Sequence, residues 1–242
     1  MRYLDEKAGK IHFSMTSRKL KCVSTKDIEE LCNRFGFSPV NVRTVLIRKG
    51  ALVPLFFKGI FYVRTSSELL TKTLPLDPLL LATLACNKKF GHDWYFGLQT
   101  ALKLNEITGV QTTTKTFIIT KKQVRTKIRS MGSMEFIFSK IKTSSPKGII
   151  EKNDFRYSDS IRTVLDFLHL GIKKKDITYA EVVLDAVIES NKRKFQSQAK
   201  GQLKSYSTNK LMKRIIDKHL GGYHALWSRS RWTVSQGNSE GI

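Results

Sequence analysis

Acidic residues are scarce in this chain: 20 Asp and Glu stand against 43 Lys and Arg in 242 residues, a formal net charge of +23. A surface so far from neutral opposes its own compactness, so a polyanionic partner is the natural counterweight, nucleic acid first and an anionic membrane surface second. Cysteine is scarce too. Cys22, Cys32 and Cys86 are odd in number and include no close pair, which argues against a disulfide framework or a zinc knuckle and fits buried thiols in a reducing compartment. Long apolar runs are missing. The longest, "LLLATLAC" at 79–86, falls far short of the roughly 18 residues of a membrane span. The first twenty residues carry Asp5, Glu6, Lys7, Arg18 and Lys19 without an apolar core, so no signal peptide is expected. These absences predict a soluble, cytoplasmic protein with no membrane partner, long enough for two domains.

Motifs of catalysis are also absent. An Asp/Glu-x-Lys pair of the kind metal-dependent nucleases place on a strand occurs only at Asp5-Glu6-Lys7, outside any plausible core strand. His12, His92, His169, His219 and His224 show no metalloprotease or deaminase spacing, and neither a P-loop nor a nucleophile elbow is present. Asp154, Asp159, Asp166, Glu181 and Asp185 could converge in a fold, but no companion motif supports them as a site. The expectation is a protein that is not an enzyme and takes no cofactor or metal. A DNA-processing or restriction-type enzyme and an RNA-binding accessory protein are the alternatives.

What the chain has in plenty is an ordered series of short elements near its N-terminus. "STKDIEELCNRFGFS" reads as a helix: Ser24 or Thr25 caps it, acids sit in its first turns, Ile28, Leu31, Cys32 and Phe35 recur at helical spacing, and Gly36 stops it. Ser38-Pro39 starts the next helix, which Gly50 ends. Its Val42, Val45 and Leu46 share one side, with Lys49; Asn41, Thr44 and Arg48 share the other, with Arg43 beside them. Two helices around a short Gly-containing turn predict a helix-turn-helix whose second helix offers its polar face to the major groove. "ALVPLFF" and "IFYVR" around Lys58-Gly59 then predict a hairpin, the wing of a winged helix.

The candidate DNA-contact set is therefore Ser38, Asn41, Arg43, Thr44, Arg48, Lys49, Lys58 and Arg64. Arg pairs bidentately with guanine and Asn with adenine, while Lys49, Lys58 and Arg64 are expected on phosphates. The plainer reading of each is a solvated surface residue. Phe56, Phe57, Phe61 and Tyr62 are expected in the core rather than stacked on bases.

Residues 65–78 carry Ser, Thr and two prolines and read as a boundary. Beyond it, helices are expected over "PLLLATLACNKKFG" and from Gly97 to Asn105. Two or three strands should follow in "TKTFIITKK", "TKIRSM" and "MEFIFSKIK", and then helices over Ser158–Leu170, Asp176–Ser190 and Thr208–Leu220. Gly97 and Ala101 suit close packing; Arg162 and Asp166, four apart, read as an exposed ion pair. Trp94, Trp227, Trp232, Tyr206 and Tyr223 read as packing residues. The predicted class is α+β: an N-terminal winged helix-turn-helix domain over 1–70, then a larger mixed α/β domain over 71–242 with a basic surface. The charge is uneven, about +7 over 1–70, +8 over 115–152 and +10 over 192–232, so the second domain exceeds the expected reading head in cations and invites a phosphate-tracking surface of its own.

The series "RKGALVPLFFKGIFYVR" (Arg48–Arg64), "YFGLQTAL" (Tyr95–Leu102) and "DSIRTVLDFL" (Asp159–Leu168) resembles, in order and spacing across roughly residues 25–190, the AbiEi-like antitoxins of type IV toxin–antitoxin systems. Thr100 stands where that family usually has Ser. The resemblance implies a repressor that binds inverted repeats in its own promoter as more than one protomer. It also implies that the C-terminal domain counteracts a nucleotidyltransferase-like toxin without forming a stable complex with it. The partners expected are thus double-stranded DNA carrying repeats, further copies of the chain on that DNA, and a functional link to such a toxin.

Overall fold

The structure, a computed structural model, describes residues 5–71 and 77–220. It is a mixed α+β fold that divides into two compact units: Met1–Asn105 with Thr112–Lys142 and Ile149–Asp159, and Glu106–Gln111 with Thr143–Gly148 and Ser160–Ile242. The division does not fall at residue 70. The N-terminal elements share a unit with the large sheet that follows them, because the hairpin joins the core of that sheet.

The first unit opens with α1 (Glu6–Ser17), capped by Asp5, whose carboxylate accepts from Ala8 N at 2.7 Å. Its Ala8, Ile11, His12 and Met15 recur at helical spacing and are buried. Next come β1 (Cys22–Ser24), α2 (Thr25–Arg34), α3 (Pro39–Arg48), β2 (Leu52–Pro54) and β3 (Ile60–Val63). The three strands form an antiparallel sheet in the order β1-β3-β2. A reciprocal capping box fixes the start of α2: Asp27 N donates to Ser24 Oγ, and Ser24 N donates to the Asp27 carboxylate. Lys88 Nζ reaches the same carboxylate at 2.7 Å. Burial works against this charge, yet Lys88 and the Ser24 donors outweigh it and hold the carboxyl below its usual range.

β3 is buried along its whole length, so its apolar run shows no alternation. Phe61 and Val63 face a core with Ile11, Ile28, Leu31, Val42 and Leu46 from the three helices. Ile60 and Tyr62 face a second core that includes Leu81, Phe90, Trp94, Phe96, Phe136 and Phe138. Gly59 makes the turn possible: its φ is +78°, and a β-carbon there would lie 2.8 Å from Thr25 Oγ1.

That second core lies on a six-stranded sheet ordered β6-β7-β5-β4-β9-β8, built from β4 (Trp94–Phe96), β5 (Thr116–Thr120), β6 (Ile128–Met131), β7 (Met134–Lys140), β8 (Ile149–Lys152) and β9 (Phe155–Ser158). β5 runs parallel to β7 and β4 to β9; the other neighbours are antiparallel. Two helices accompany the sheet: α5 (Pro78–Phe90), capped by Asp77 with Pro78 in its first turn, and α6 (Leu98–Leu104). The short α4 (Ser66–Thr71) instead puts Leu69 into the first core. Gly97 packs so tightly on Ile119 that a side chain would clash, and Ala101 is fully buried, in line with the close packing expected of this pair.

The second unit is helical: α7 (Ser160–Lys174), α8 (Thr178–Leu203) and α9 (Asn209–His219). α8 is broken at Asn191 (φ −162°, ψ 76°), whose side chain accepts from Lys194 N at 3.0 Å and so caps a second helical half. Arg162 and Asp166 are not an exposed pair. They are 2% and 0% exposed. Arg162 donates to the carbonyls of Ser145 and Lys147 and to Thr143 Oγ1, holding the 143–148 loop. Asp166 accepts from Tyr206 OH at 2.6 Å. Trp94 and Tyr206 are packing residues as expected; Trp227, Trp232, Tyr223 and His224 lie outside the described residues. No described helix is long and apolar enough to cross a membrane.

Candidate nucleic-acid interface

α3 has two chemically opposite sides. Val42 and Leu46, one turn apart, are buried against α1 and α2 and fix the helix's rotation. Asn41, Thr44 and Arg48 are then carried outward, and all three are exposed. Pro39 occupies the first turn, and the Ser38 side chain makes no cap hydrogen bond, so its exposed hydroxyl remains at the helix start. The first turn contains no acidic residue, which leaves the positive end of the helix dipole uncompensated. Thr44 Oγ1 donates to Val40 O at 2.8 Å, leaving its lone pairs as acceptors. Among the described residues, Arg43 and Arg48 enter no ion pair.

The eight expected contact residues are not equivalent. Ser38, Asn41, Thr44, Arg48, Lys49 and Lys58 are exposed, whereas Arg43 and Arg64 are half-buried. Arg64 lies over Gly50, with Nη1 3.2 Å from where a β-carbon would stand, and its carbonyl accepts from His12 Nε2 at 2.7 Å. Its main chain braces the end of the hairpin against α1. Phe35, expected in the core of α2, is 45% exposed and stacks on Phe37, with centroids 5.8 Å apart.

The hairpin differs most from the expected wing. Its apex, Leu55–Phe57, does not stand free. Phe56 stacks on Phe136 with centroids 4.5 Å apart, and Phe57 meets Phe90 edge to face at 5.3 Å. Arg129 of β6 donates to Phe56 O at 2.9 Å and lays its guanidinium 5.0 Å from the Phe57 ring centroid. All four aromatic residues are buried, as expected: Phe61 packs on the first three helices, whereas Phe56, Phe57 and Tyr62 join the core of the large sheet and α5. Only Lys58 emerges from the apex. Sequence reasoning missed Arg129. Hydrophobicity points Ile128 of "TKIRSM" inward, but pairing with β7 places Ile128 at 53% exposure and turns Arg129 in.

Elsewhere, Glu181 and Asp185 meet at His219, at 3.3 Å from Nε2 and 2.6 Å from Nδ1. No set of three or more His, Cys, Asp or Glu among the described residues is arranged to hold a metal ion. The thiols are poor nucleophiles: burial pushes Cys22 up to about 12 and Cys86 well above the ordinary thiol range.

No protein-family model matches the chain, and no curated protein matches it. Among solved structures, the crystal structure of the RV2827C protein from Mycobacterium tuberculosis is similar, with a TM-score of 0.59 and 11% sequence identity over 89% of this chain and 78% of that one. At that identity the likeness concerns the fold alone.

Proposed function

We propose that this protein is a sequence-specific DNA-binding repressor of the AbiEi-like antitoxin type, and that its first six elements are a winged helix-turn-helix. The element order α1-β1-α2-α3-β2-β3 with sheet order β1-β3-β2 supports the winged-helix part of this reading. The observation that carries it is the outward side of α3. Asn41, Thr44 and Arg48 are exposed on a helix locked in rotation by Val42 and Leu46, so mixed donors and acceptors stand on a rigid support. That is the chemistry required to read base edges, at about 1–3 kcal/mol of discrimination per good bidentate pair. The buried apex limits the wing to Lys58, which serves as a phosphate contact. Repression of its own promoter through repeats, and the counteracting of a nucleotidyltransferase-like toxin, belong to the same proposal and rest on the sequence resemblance.

A gel shift with the DNA upstream of the gene, at several salt concentrations, tests the reading. The repressor binds that DNA more tightly than random duplex, and affinity falls steeply with salt. Equal affinity for the two DNAs at every salt concentration contradicts it.

A further inference from the structure

We propose a second nucleic-acid site in the helical unit: the cleft between the second half of α8 and α9 binds the phosphodiester backbone. This goes beyond the reading of α3 and does not depend on it. The break at Asn191 starts a new helical stretch whose Phe195, Ala199, Gln202 and Leu203 are buried at helical spacing. That stripe sends Lys200 and Lys204, one turn apart, to the exposed side. On α9 the burial of Met212 and Ile216 does the same for Lys210 and Lys213. The four lysines, with Asn209, line a cleft of about 310 Å³ beside the apolar Leu203. Among the described residues no carboxylate lines it, and residues 192–220 hold nine Lys and Arg against one acid, Asp217. α9 begins at this cleft with neither a side-chain cap nor an acidic residue in its first turn, so its dipole adds to the same field.

The composition of the lining selects the ligand. Among the described residues lysine supplies all the charge of the lining, and its ammonium is a compact point charge that binds a phosphate oxygen without needing a fixed bidentate geometry. Among the described residues no aromatic side chain lines it for a base to stack on. The site therefore holds backbone phosphates without reading sequence, and adds affinity rather than discrimination.

The test uses the full chain and fluorescence anisotropy, with a random-sequence DNA duplex and an RNA hairpin of equal length. The variant carries Lys200→Gln, Lys204→Gln, Lys210→Gln and Lys213→Gln. On duplex DNA its log–log salt dependence should become shallower by about 3–4, roughly 0.9 per phosphate contact. The preference for upstream over random DNA should not change. The larger loss, on duplex or on hairpin, identifies which polymer the cleft serves. Lys→Arg at the same four positions keeps the charge and should retain the slope, which separates electrostatics from packing. If the fourfold Gln variant does not fold, Lys204→Gln with Lys210→Gln should still remove about 1.8 of the slope. Unchanged slopes on both probes overturn the proposal. Failure of the α3 reading looks different: no preference for upstream DNA, whatever the lysines do.

Discussion

α3 and the α8–α9 cleft both present cations to solvent, but they differ in what stands beside the charge. On α3 an amide and a hydroxyl share the exposed side with arginine, above a tightly packed inner side. In the cleft, lysine follows lysine, with Asn209 as a neutral polar neighbour. Directional donors and acceptors on a fixed helix can distinguish bases, whereas flexible ammonium groups on exposed stems sense phosphate density. On the proposed reading the two surfaces have separable consequences, one for specificity and one for affinity.

The largest perturbation that separates the regions is Phe56→Ala. Emptying the site against Phe136 should cost the first unit about 3–5 kcal/mol, and should lower hydrogen-exchange protection in β3 and α3 while leaving α7 unchanged. Equal loss in α7 would erase the distinction.

Lowering the pH should act the other way round. Burial, with Lys173 adding to it, pulls His169 from 6.5 down to about 4. The geometry agrees: Nδ1 meets Thr208 Oγ1 at 2.8 Å, and Nε2 is buried without a partner, so a second ring proton would have no acceptor. The unfolded chain takes up this proton near pH 6.5 and the folded chain only near 4. The stability is therefore complete above 6.5 and is lost as pH falls from 6.5 towards 4, by about 3 kcal/mol. Urea titrations read by α7 hydrogen exchange should show this slope, and His169→Gln should flatten it. A slope that persists in the variant would assign the effect elsewhere.

The smallest effect sharpens the comparison within the first unit. Lys58→Ala at the hairpin apex should weaken binding equally for all sequences and reduce the salt slope by about 0.9. A changed sequence preference would mean that the hairpin reads bases.

Much of this was legible in the sequence, because punctuation and periodicity agreed. Ser24, Gly36, Ser38-Pro39 and Gly50 mark α2 and α3 within a residue or so, and Pro78 marks α5. β5, β6 and β7 lie in the three basic strand-like stretches, and α7 and α9 lie where helices were expected; α8 begins as expected but runs past Ser190 to Leu203, through the break at Asn191. The misses have physical causes. β4 is buried at all three positions and offers no alternation between Asp93 and Gly97, while β8 and β9 are short strands whose turn, Asn153-Asp154, is only apparent from its left-handed backbone. Opposite charges four apart suggest a solvated helix face, yet Arg162 and Asp166 point into the unit because their partners, the 143–148 loop and Tyr206, are remote in sequence. The exposed side of α3 followed from local periodicity. The burial of the hairpin apex depends on Phe136 and Arg129, more than 70 residues away, and no local pattern announces that.

The most direct test of the central claim is a competition experiment in which wild-type protein and the Asn41→Ala/Arg48→Ala variant choose between upstream DNA and a shuffled duplex of the same composition. The account predicts that the variant loses at least about tenfold of its preference while keeping its affinity for the shuffled duplex within a small factor. A variant that discriminates as well as wild type would contradict the claim that the exposed side of α3 reads DNA.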